Sequence, residues 1–402
     1  MLILFATVLI DLIGFGIIIP ILPFMAPTLG ASHFDIALLI AIYSLCGGLV
    51  GPFWGKLSDR IGRKPVLLIC LAGAAVSYLL LAVSHTLLLL FVSRALAGIM
   101  AGNFGVASAM VADISPPENR AKNMGLIGAA FGLGMVIGPF LGGVLAGDDG
   151  NYQLVGLVAA GLSGAAMLAG LLFLPESLGT ELRREQQAQR AEHGDGGSIW
   201  RMLRSTRNTL LAAQYFLGNA CHTTVSLLFP LWVGAQLGWG AKQVGIIFGI
   251  QGLAMALLQS TLIGRLVRAF GELRVLLLGT VAMCIGFAIA ALAFDQTTIL
   301  LGFFCTITGG TLCTPVLNTL LANRTPVHLR GRMLGTSSSS AAFGRVAGPL
   351  LAGLILTLTN FHLAWLVGLG MALAMVAWTA SQLRLPPEPL PATATGGNPH
   401  GR

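Results

Sequence analysis

Runs of about 20 apolar residues recur along the whole 402-residue chain, separated by short polar breaks. A helix of that length crosses roughly 30 Å of hydrocarbon, so each run predicts a membrane span. The runs fall near 2–22, 34–54, 66–84, 87–112, 123–146, 152–174, 209–233, 243–264, 274–293, 299–322, 332–357 and 362–382. One long polar interruption, Pro175 to Asn208, divides them into six and six. It holds Glu181 to Gln187 and then Gly194 to Gly197, and its low apolar content predicts a surface helix followed by a flexible joint. The organisation expected is an all-α membrane protein of twelve transmembrane helices in two pseudo-symmetric six-helix bundles. Residues 1–174 form the first bundle, 175–208 a cytoplasmic linker, 209–382 the second bundle, and 383–402 a disordered cytoplasmic tail rich in Pro, Thr and Gly.

The two halves carry the same punctuation 210 positions apart. Gly125, Gly134, Gly138, Pro139 and Gly142-Gly143 are answered by Gly335, Gly344, Gly348, Pro349 and Gly353. Upstream, Pro116 matches Pro326 and Arg120 matches Arg330. A parallel duplication inside an apolar chain is how transporters with two rocking halves are built. In Gly134 to Pro139 the GxxxG spacing clears one helix face for a close neighbour, and Pro139 removes one backbone hydrogen bond. Such a motif is weak alone and strong when repeated in register.

Composition agrees with a membrane class: 55% of residues are hydrophobic and 9% charged, against about 25% charged in soluble domains. The net charge of +8 raises the question of nucleic acid, but the placement of the basic residues answers it. Lys56, Arg60, Arg63, Lys64, Arg120, Lys122, Arg265, Arg268, Arg274 and the arginines of the interruption and tail all fall on one side of the spans. Only Lys242 lies in an opposite-side loop, so the positive-inside rule puts both termini and the long interruption in the cytoplasm. Nucleic acid is not an expected partner. Met1 enters apolar sequence with no basic n-region or small-residue cleavage site, which reads as a retained first span rather than a signal peptide. The cysteines, Cys46, Cys70, Cys221, Cys284, Cys305 and Cys313, lie within spans without metal-ligand spacing and read as packing residues.

Chemistry at membrane depth is scarce, which makes each instance informative. Asp11 lies mid-way along the first span, where an ionised Asp costs roughly 2.5–3.5 kcal/mol. Burial raises the pKa of such a carboxyl and a nearby cation lowers it, so its proton can follow the occupancy of a cavity. Gly14, Gly16, Pro20 and Pro23 follow it and allow that helix to bend. Arg94 in the fourth span is the expected counter-ion for Asp11. Arg345, beside Gly344, is a second intramembrane cation, read equally as functional or as a ligand of carbonyls freed near Pro349. The second-to-third connection, Gly55 to Pro65, frames Asp59 and Arg60 between Gly55 and Gly62, with Arg63 following, and predicts a hinged cytoplasmic gate. Gly264, Gly271 and Leu276 echo it in the second half, so the two loops are expected to latch the halves together. Polar residues at Tyr43, Asn103, Gln214, Asn219, His222, Gln251 and Asn318 mark the expected substrate cavity; singly, each reads more simply as an interhelical hydrogen bond. No metal cluster, phosphate-binding loop or nucleophile elbow is present in the sequence, so neither an enzyme nor an ATP-driven pump is expected, and no cofactor.

At these residues the chain resembles the major facilitator superfamily, in particular its drug/proton antiporter group with twelve helices. Gly14 to Pro23 is similar to the group's first-helix pattern, Gly55 to Lys64 to the superfamily loop motif, Arg94 to Gly98 to the fourth-helix motif with Ala97 for the usual Gln, and Gly125 to Gly143 to the motif associated with antiporters. The likeness spans essentially the entire chain. Within the group it is most similar to tetracycline/proton antiporters, through Leu9-Ile10-Asp11, Ser58-Asp59-Arg60, Ala112-Asp113, Leu237-Gly238-Trp239 and Gly264-Arg265. The resemblance implies proton coupling through Asp11 and Arg94. It also implies acids in the third and ninth helices, where this chain has Ser77 and approximately Met283.

The reading of the whole is a proton-coupled antiporter of a bacterial inner membrane, exporting a small amphipathic molecule, a drug such as tetracycline, by alternating access. The alternatives are efflux of an endogenous metabolite, sugar or siderophore by the same cycle, and a non-transporting receptor. Two halves in one chain make a monomer sufficient.

Overall fold

A computed structural model of the protein describes residues 1–178, 206–324 and 330–383. The surface helix and joint expected in the interruption, and the tail from 384, lie outside the described residues. Fifteen helices are described, with no strand among the described residues. The first six spans are built from α1 (Leu2–Ile18), α2 (Leu22–Thr28), α3 (His33–Ile61), α4 (Arg63–Ala82), α5 (Leu87–Ile99), α6 (Asn103–Ile114), α7 (Pro117–Ala146) and α8 (Tyr152–Phe173). The last six are built from α9 (Thr206–Leu237), α10 (Ala241–Thr261), α11 (Ile263–Phe270), α12 (Glu272–Ala291), α13 (Gln296–Arg324), α14 (Arg330–Leu358) and α15 (Phe361–Leu383). Eleven spans are long and apolar enough to cross a membrane, and α1 with α2, bent by 48°, makes a twelfth.

The bend falls between Ile18 and Leu22, around Pro20 and just before Pro23, where a missing N–H and the ring clash stop the ladder. A second break, at Met100 to Gly102, separates α5 from α6. Gly102 is needed there because a Cβ would lie 2.6 Å from Cγ of Trp54, whose Nε1 donates to the carbonyl freed at Ile99 at 2.6 Å. Nothing in the apolar pattern of the fourth span announces this break. At the other extreme, α3 runs seven residues past the expected end at 54, and α7 begins at Pro117 rather than 123. Apolarity marks the part of a helix that meets hydrocarbon, whereas the backbone ladder continues through Lys56, Asp59 and Arg60 beyond it. The start of α3 is fixed by a capping box in which the Ser32 N–H donates to Asp35 at 2.8 Å and the Asp35 N–H donates to Ser32 Oγ at 3.2 Å.

The repeated glycines are where helices touch. On α7, Gly134 and Gly138 admit α1: a Cβ on Gly138 would lie 2.7 Å from the Cα of Gly16. On α14, Gly344 and Gly348 admit α9, with Ala220 Cα 2.8 Å from a Cβ at Gly348. The same two helices also join the halves. Gly143 of α7 backs onto Gly245 of α10, and the seam continues through Phe140 against Gly249 and Val136 against Gly252. Gly353 of α14 backs onto His33 and Ala37 of α3, and Ala342 onto Gly48. Lys242 Nζ meets Asp148 Oδ2 at 2.6 Å and the His33 and Phe361 rings pack edge-on at 6.3 Å, closing the same end. Further along the same stripes, a Cβ at Gly132, Gly128 or Gly125 of α7, or at Gly51 or Gly55 of α3, meets no described atom within 4 Å. Both seams therefore close at the Lys242 end and part toward the arginine-rich end.

Candidate substrate and proton site

Asp11 lies on α1 and is only 3% exposed. Its carboxyl is turned into the first half: Ser163 Oγ of α8 donates to Oδ1 at 3.0 Å, and Asn103 Nδ2, the first residue of α6, donates to Oδ2. The break before α6 is what brings Asn103 here. Two donors offset the loss of water around a carboxylate. Beside it is a cavity of about 10 Å3 lined by Thr7, Asp11, Asn103, Leu67 and Leu71, the space one water needs. Thr7, one turn before Asp11, is fully buried and its Oγ1 has no hydrogen-bond partner.

Arg94 does not neutralise Asp11 in this state, contrary to the expectation from sequence. The carboxyl oxygens accept from Ser163 and Asn103, and among the described residues Arg94 forms no ion pair. Gly98, one turn on along α5, packs against α3, where a Cβ would lie 2.9 Å from Tyr43 Cα. This turns the Arg94 face toward α3. Arg94 is 3% exposed, and its Nε and Nη2 are buried without a hydrogen-bond partner. Tyr43, stacked on Phe15 at 5.2 Å, is the shared neighbour: Arg94, Asp11 and Arg345 are all within its Coulombic reach.

In the second half the polar residues form a chain of their own. Arg345 Nη1 donates to Asn219 Oδ1 at 3.2 Å, Asn219 Nδ2 donates to the Tyr215 carbonyl at 3.0 Å, and Tyr215 O–H donates to Asn318 Oδ1 at 2.6 Å. Arg345 thus binds a side-chain amide; no hydrogen bond to a carbonyl near Pro349 is seen among the described residues. His222, part-buried on α9, is within Coulombic reach of Arg345. Gln214 is buried with Oε1 unpartnered, and Gln251 donates to Met255 Sδ at 3.3 Å beside a second cavity of about 10 Å3. The seven expected cavity residues are therefore split: Asn103 serves Asp11, Tyr43 sits between the halves, and Asn219 and Asn318 share one network, with His222 beside it.

The loop charges converge on Arg63. Its Nη1 meets Asp59 Oδ1 at 2.8 Å and Ser58 Oγ at 2.6 Å, and its Nε meets Asp113 Oδ2 at 2.9 Å. These pairs tie α3, α4 and α6 together within the first half. Gly62, at φ +114°, makes the turn into α4, and Gly271, at φ +80°, makes the corresponding turn into α12. Gly55 is open and Arg60 exposed. The Glu176 carboxylate accepts from the N–H groups of Arg63 and Lys64 at 2.9 and 3.2 Å, capping α4. Glu176, Ser163 and Thr7 were not singled out by the sequence, because a lone Ser or Thr in an apolar span, or a Glu at the start of a polar stretch, becomes special only through tertiary pairing. Among the described residues no cluster of metal-ligating side chains occurs.

Two pseudo-symmetric halves of six spans, joined at glycine seams around polar groups at membrane depth, define a multi-pass membrane transporter. The chain belongs to the Major Facilitator Superfamily, whose sequence profile matches residues 4–259 and 211–400. It is 32% identical to the class B tetracycline resistance protein of Escherichia coli, over 86% of each chain. It is 26% identical to multidrug resistance protein 2 of Bacillus subtilis (strain 168), over 92% of this chain and 94% of that one. The crystal structure of the nucleoside transporter NupG superposes with a TM-score of 0.76 at 16% identity, covering 96% of this chain and 99% of that one, and shares the fold. The protein is thus a major facilitator transporter related to tetracycline and multidrug resistance proteins.

Proposed function

We propose that the protein exports a small amphipathic molecule, with a drug of the tetracycline kind as first candidate, in exchange for protons across a bacterial inner membrane. The observation that carries this reading is Asp11: it is the one acid within the described spans away from their ends, and it is buried against two donors and a water-sized cavity. With the basic residues on one face and the positive-inside rule as support, this reading takes that face, both termini and the present opening as cytoplasmic. In the state open to the opposite face, Asp11 takes up a proton. After the halves rock, substrate in the cytoplasm-facing cavity, with Arg94 free to approach Asp11, favours its release. Gly55, Asp59, Arg60, Gly62, Arg63 and Asp113 form the cytoplasmic gate. The stripe Gly125, Gly134, Gly138, Pro139, Gly142 and Gly143 is the face that moves between α1 and α10. Tyr43, Asn103, Gln214, Asn219, His222, Gln251 and Asn318 belong to the cavity region. Ser77 donates to the Ala74 carbonyl at 2.7 Å and Met283 is buried in apolar packing; on this reading Asp11, with Arg94, carries the coupling.

The driving force is sufficient. A membrane potential supplies about 2.3 kcal/mol per 100 mV for each charge, and each pH unit adds about 1.4 kcal/mol. The test is transport into liposomes carrying an imposed pH gradient, with a panel of drugs and metabolites. The wild type is expected to move at least one compound with a counter-flux of protons, and Asp11→Asn to lose the proton dependence entirely. Proton-driven transport that survives Asp11→Asn overturns the assignment.

A further inference from the structure

Away from their ends, the described spans hold one acid, Asp11, against two arginines, Arg94 and Arg345, and the acid is bonded to Ser163 and Asn103. Among the described residues neither arginine forms an ion pair. Two nitrogens of Arg94 are buried with no partner at all, and the one side-chain bond of Arg345 is to a neutral amide. A guanidinium at this depth needs an anion, carbonyls or water, and an unpaired buried charge is costly.

The two cations come from opposite halves, and the helices that carry them both pack on α3. Arg94 shares its face of α5 with Gly98, which packs on Tyr43. On the other side, α14 runs antiparallel to α3, with Gly353 against Ala37 and Ala342 against Gly48. Each step along one helix is a step back along the other, which puts Arg345 level with Leu45, two residues from Tyr43. Tyr43 and Arg345 are only part-buried. The Phe15 ring stacked on Tyr43 supplies an aromatic wall beside the charges.

Resting on the export reading above, we infer that the substrate is an amphipathic zwitterion whose oxyanion is held between Arg94 and Arg345, with the Tyr43 hydroxyl as a third donor. Local charge is positive whether Asp11 is ionised or protonated, so an anionic group is favoured in both states. Guanidinium forks bind carboxylates and enolates in two-pronged fashion. The positive group follows from exchange: a ligand that competes with the proton of Asp11 must satisfy that carboxylate's charge, which an anion without a cation cannot do. An anion bridging both halves also reports their relative position, so its site is made and broken as they rock.

The probe is norfloxacin, a quinolone carrying a carboxylate and an ammonium, against its methyl ester, which keeps only the ammonium. Binding to the purified full-length protein in nanodiscs is measured by tryptophan fluorescence and by thermal shift. The acid is expected to bind about tenfold or more tighter than the ester. Arg345→Gln is expected to erase that preference and Arg345→Lys to retain part of it. Equal binding of acid and ester, no saturable binding of the acid, or a preference that persists in Arg345→Gln each overturns the inference. Asp11→Asn separates this from the coupling reading: if its transport stays proton-driven while the acid is still preferred, the coupling assignment falls and the anion site stands.

Discussion

In the first half α7 lies on α1 through Gly134 and Gly138, and in the second α14 lies on α9 through Gly344 and Gly348, so one helix-pair geometry is used twice. The polar contents differ. Near these contacts α1 carries Asp11, bonded to Asn103 and Ser163, whereas α9 carries Asn219, bonded to Arg345. One half holds a group that can gain or lose a proton, and the other a fixed cation steadied by an amide. Duplication therefore preserved the packing that lets the halves move and left the chemistry free to diverge. On the proposed reading, coupling belongs to the first half, and the second half contributes to holding the cargo.

The largest effects should break this comparison outright. Asp11→Asn is expected to lower proton-driven transport at least a hundredfold, about 2.7 kcal/mol in the coupled step, while Asn219→Ala weakens substrate affinity without removing the proton dependence. Initial rates in liposomes at two imposed pH gradients distinguish them. Should both variants lose the proton dependence equally, the division of labour is wrong.

Next comes the gate. Arg63 is buried among Asp59, Asp113 and Ser58, whereas on α11 of the second half Arg268 is exposed and bonds only its own helix, with Nε 3.1 Å from the Gly264 carbonyl. Removing one member of a buried pair costs about 3–5 kcal/mol, so Arg63→Ala should lower the melting temperature strongly. Arg268→Ala should change stability by about 0.5 kcal/mol or less, as exposed substitutions do.

That asymmetry also shows what the amino-acid pattern could and could not reveal. Spans, the duplication and the one-sided charge were legible because hydrocarbon imposes length and apolarity on every segment, and a topology signal needs only a count of basic residues. Glycine faces were legible because two copies in register exclude accident. The environment of Asp11 was not. Ser163 lies 152 positions away in a span of small residues, and Asn103 reaches Asp11 only because Gly102 and Trp54 break the fourth span. Arg94 was matched with Asp11 because opposite charges in one apolar bundle attract; amide and hydroxyl donors met the carboxyl first.

A finer contrast lies along α7. Gly138→Ala would press a methyl onto Gly16, and Gly348→Ala one onto Ala220, each costing about 1–3 kcal/mol by overpacking. Gly132→Ala, on the part of the same stripe that meets no described atom, should leave melting unchanged or raise it by about 0.5–1 kcal/mol through helix propensity. If α7 and α10 close over that stretch in the opposite state, Gly132→Ala should nevertheless slow transport. Thermal melting and transport rate are then moved in different directions by one methyl group, which a purely structural role at Gly132 does not allow.

The smallest effect concerns the end where the halves already touch. Lys242 and Asp148 face each other across the seam at 2.6 Å, with side chains 41% and 66% exposed. Exposed pairs are worth about 0.2–1 kcal/mol and are screened by salt. Lys242→Ala should therefore favour the state open at that end by a few-fold at most, because the pair exists only while the seam is closed and its loss costs the open state nothing. The effect should fade as salt rises from 50 mM to 0.5 M, since the Debye length then falls from roughly 14 Å toward 4 Å. Accessibility of a cysteine placed on the Lys242 side of the cavity reports the shift. A change that is large, or indifferent to salt, would mean that the closed end is held by charge rather than by the backbone contact of Gly143 with Gly245.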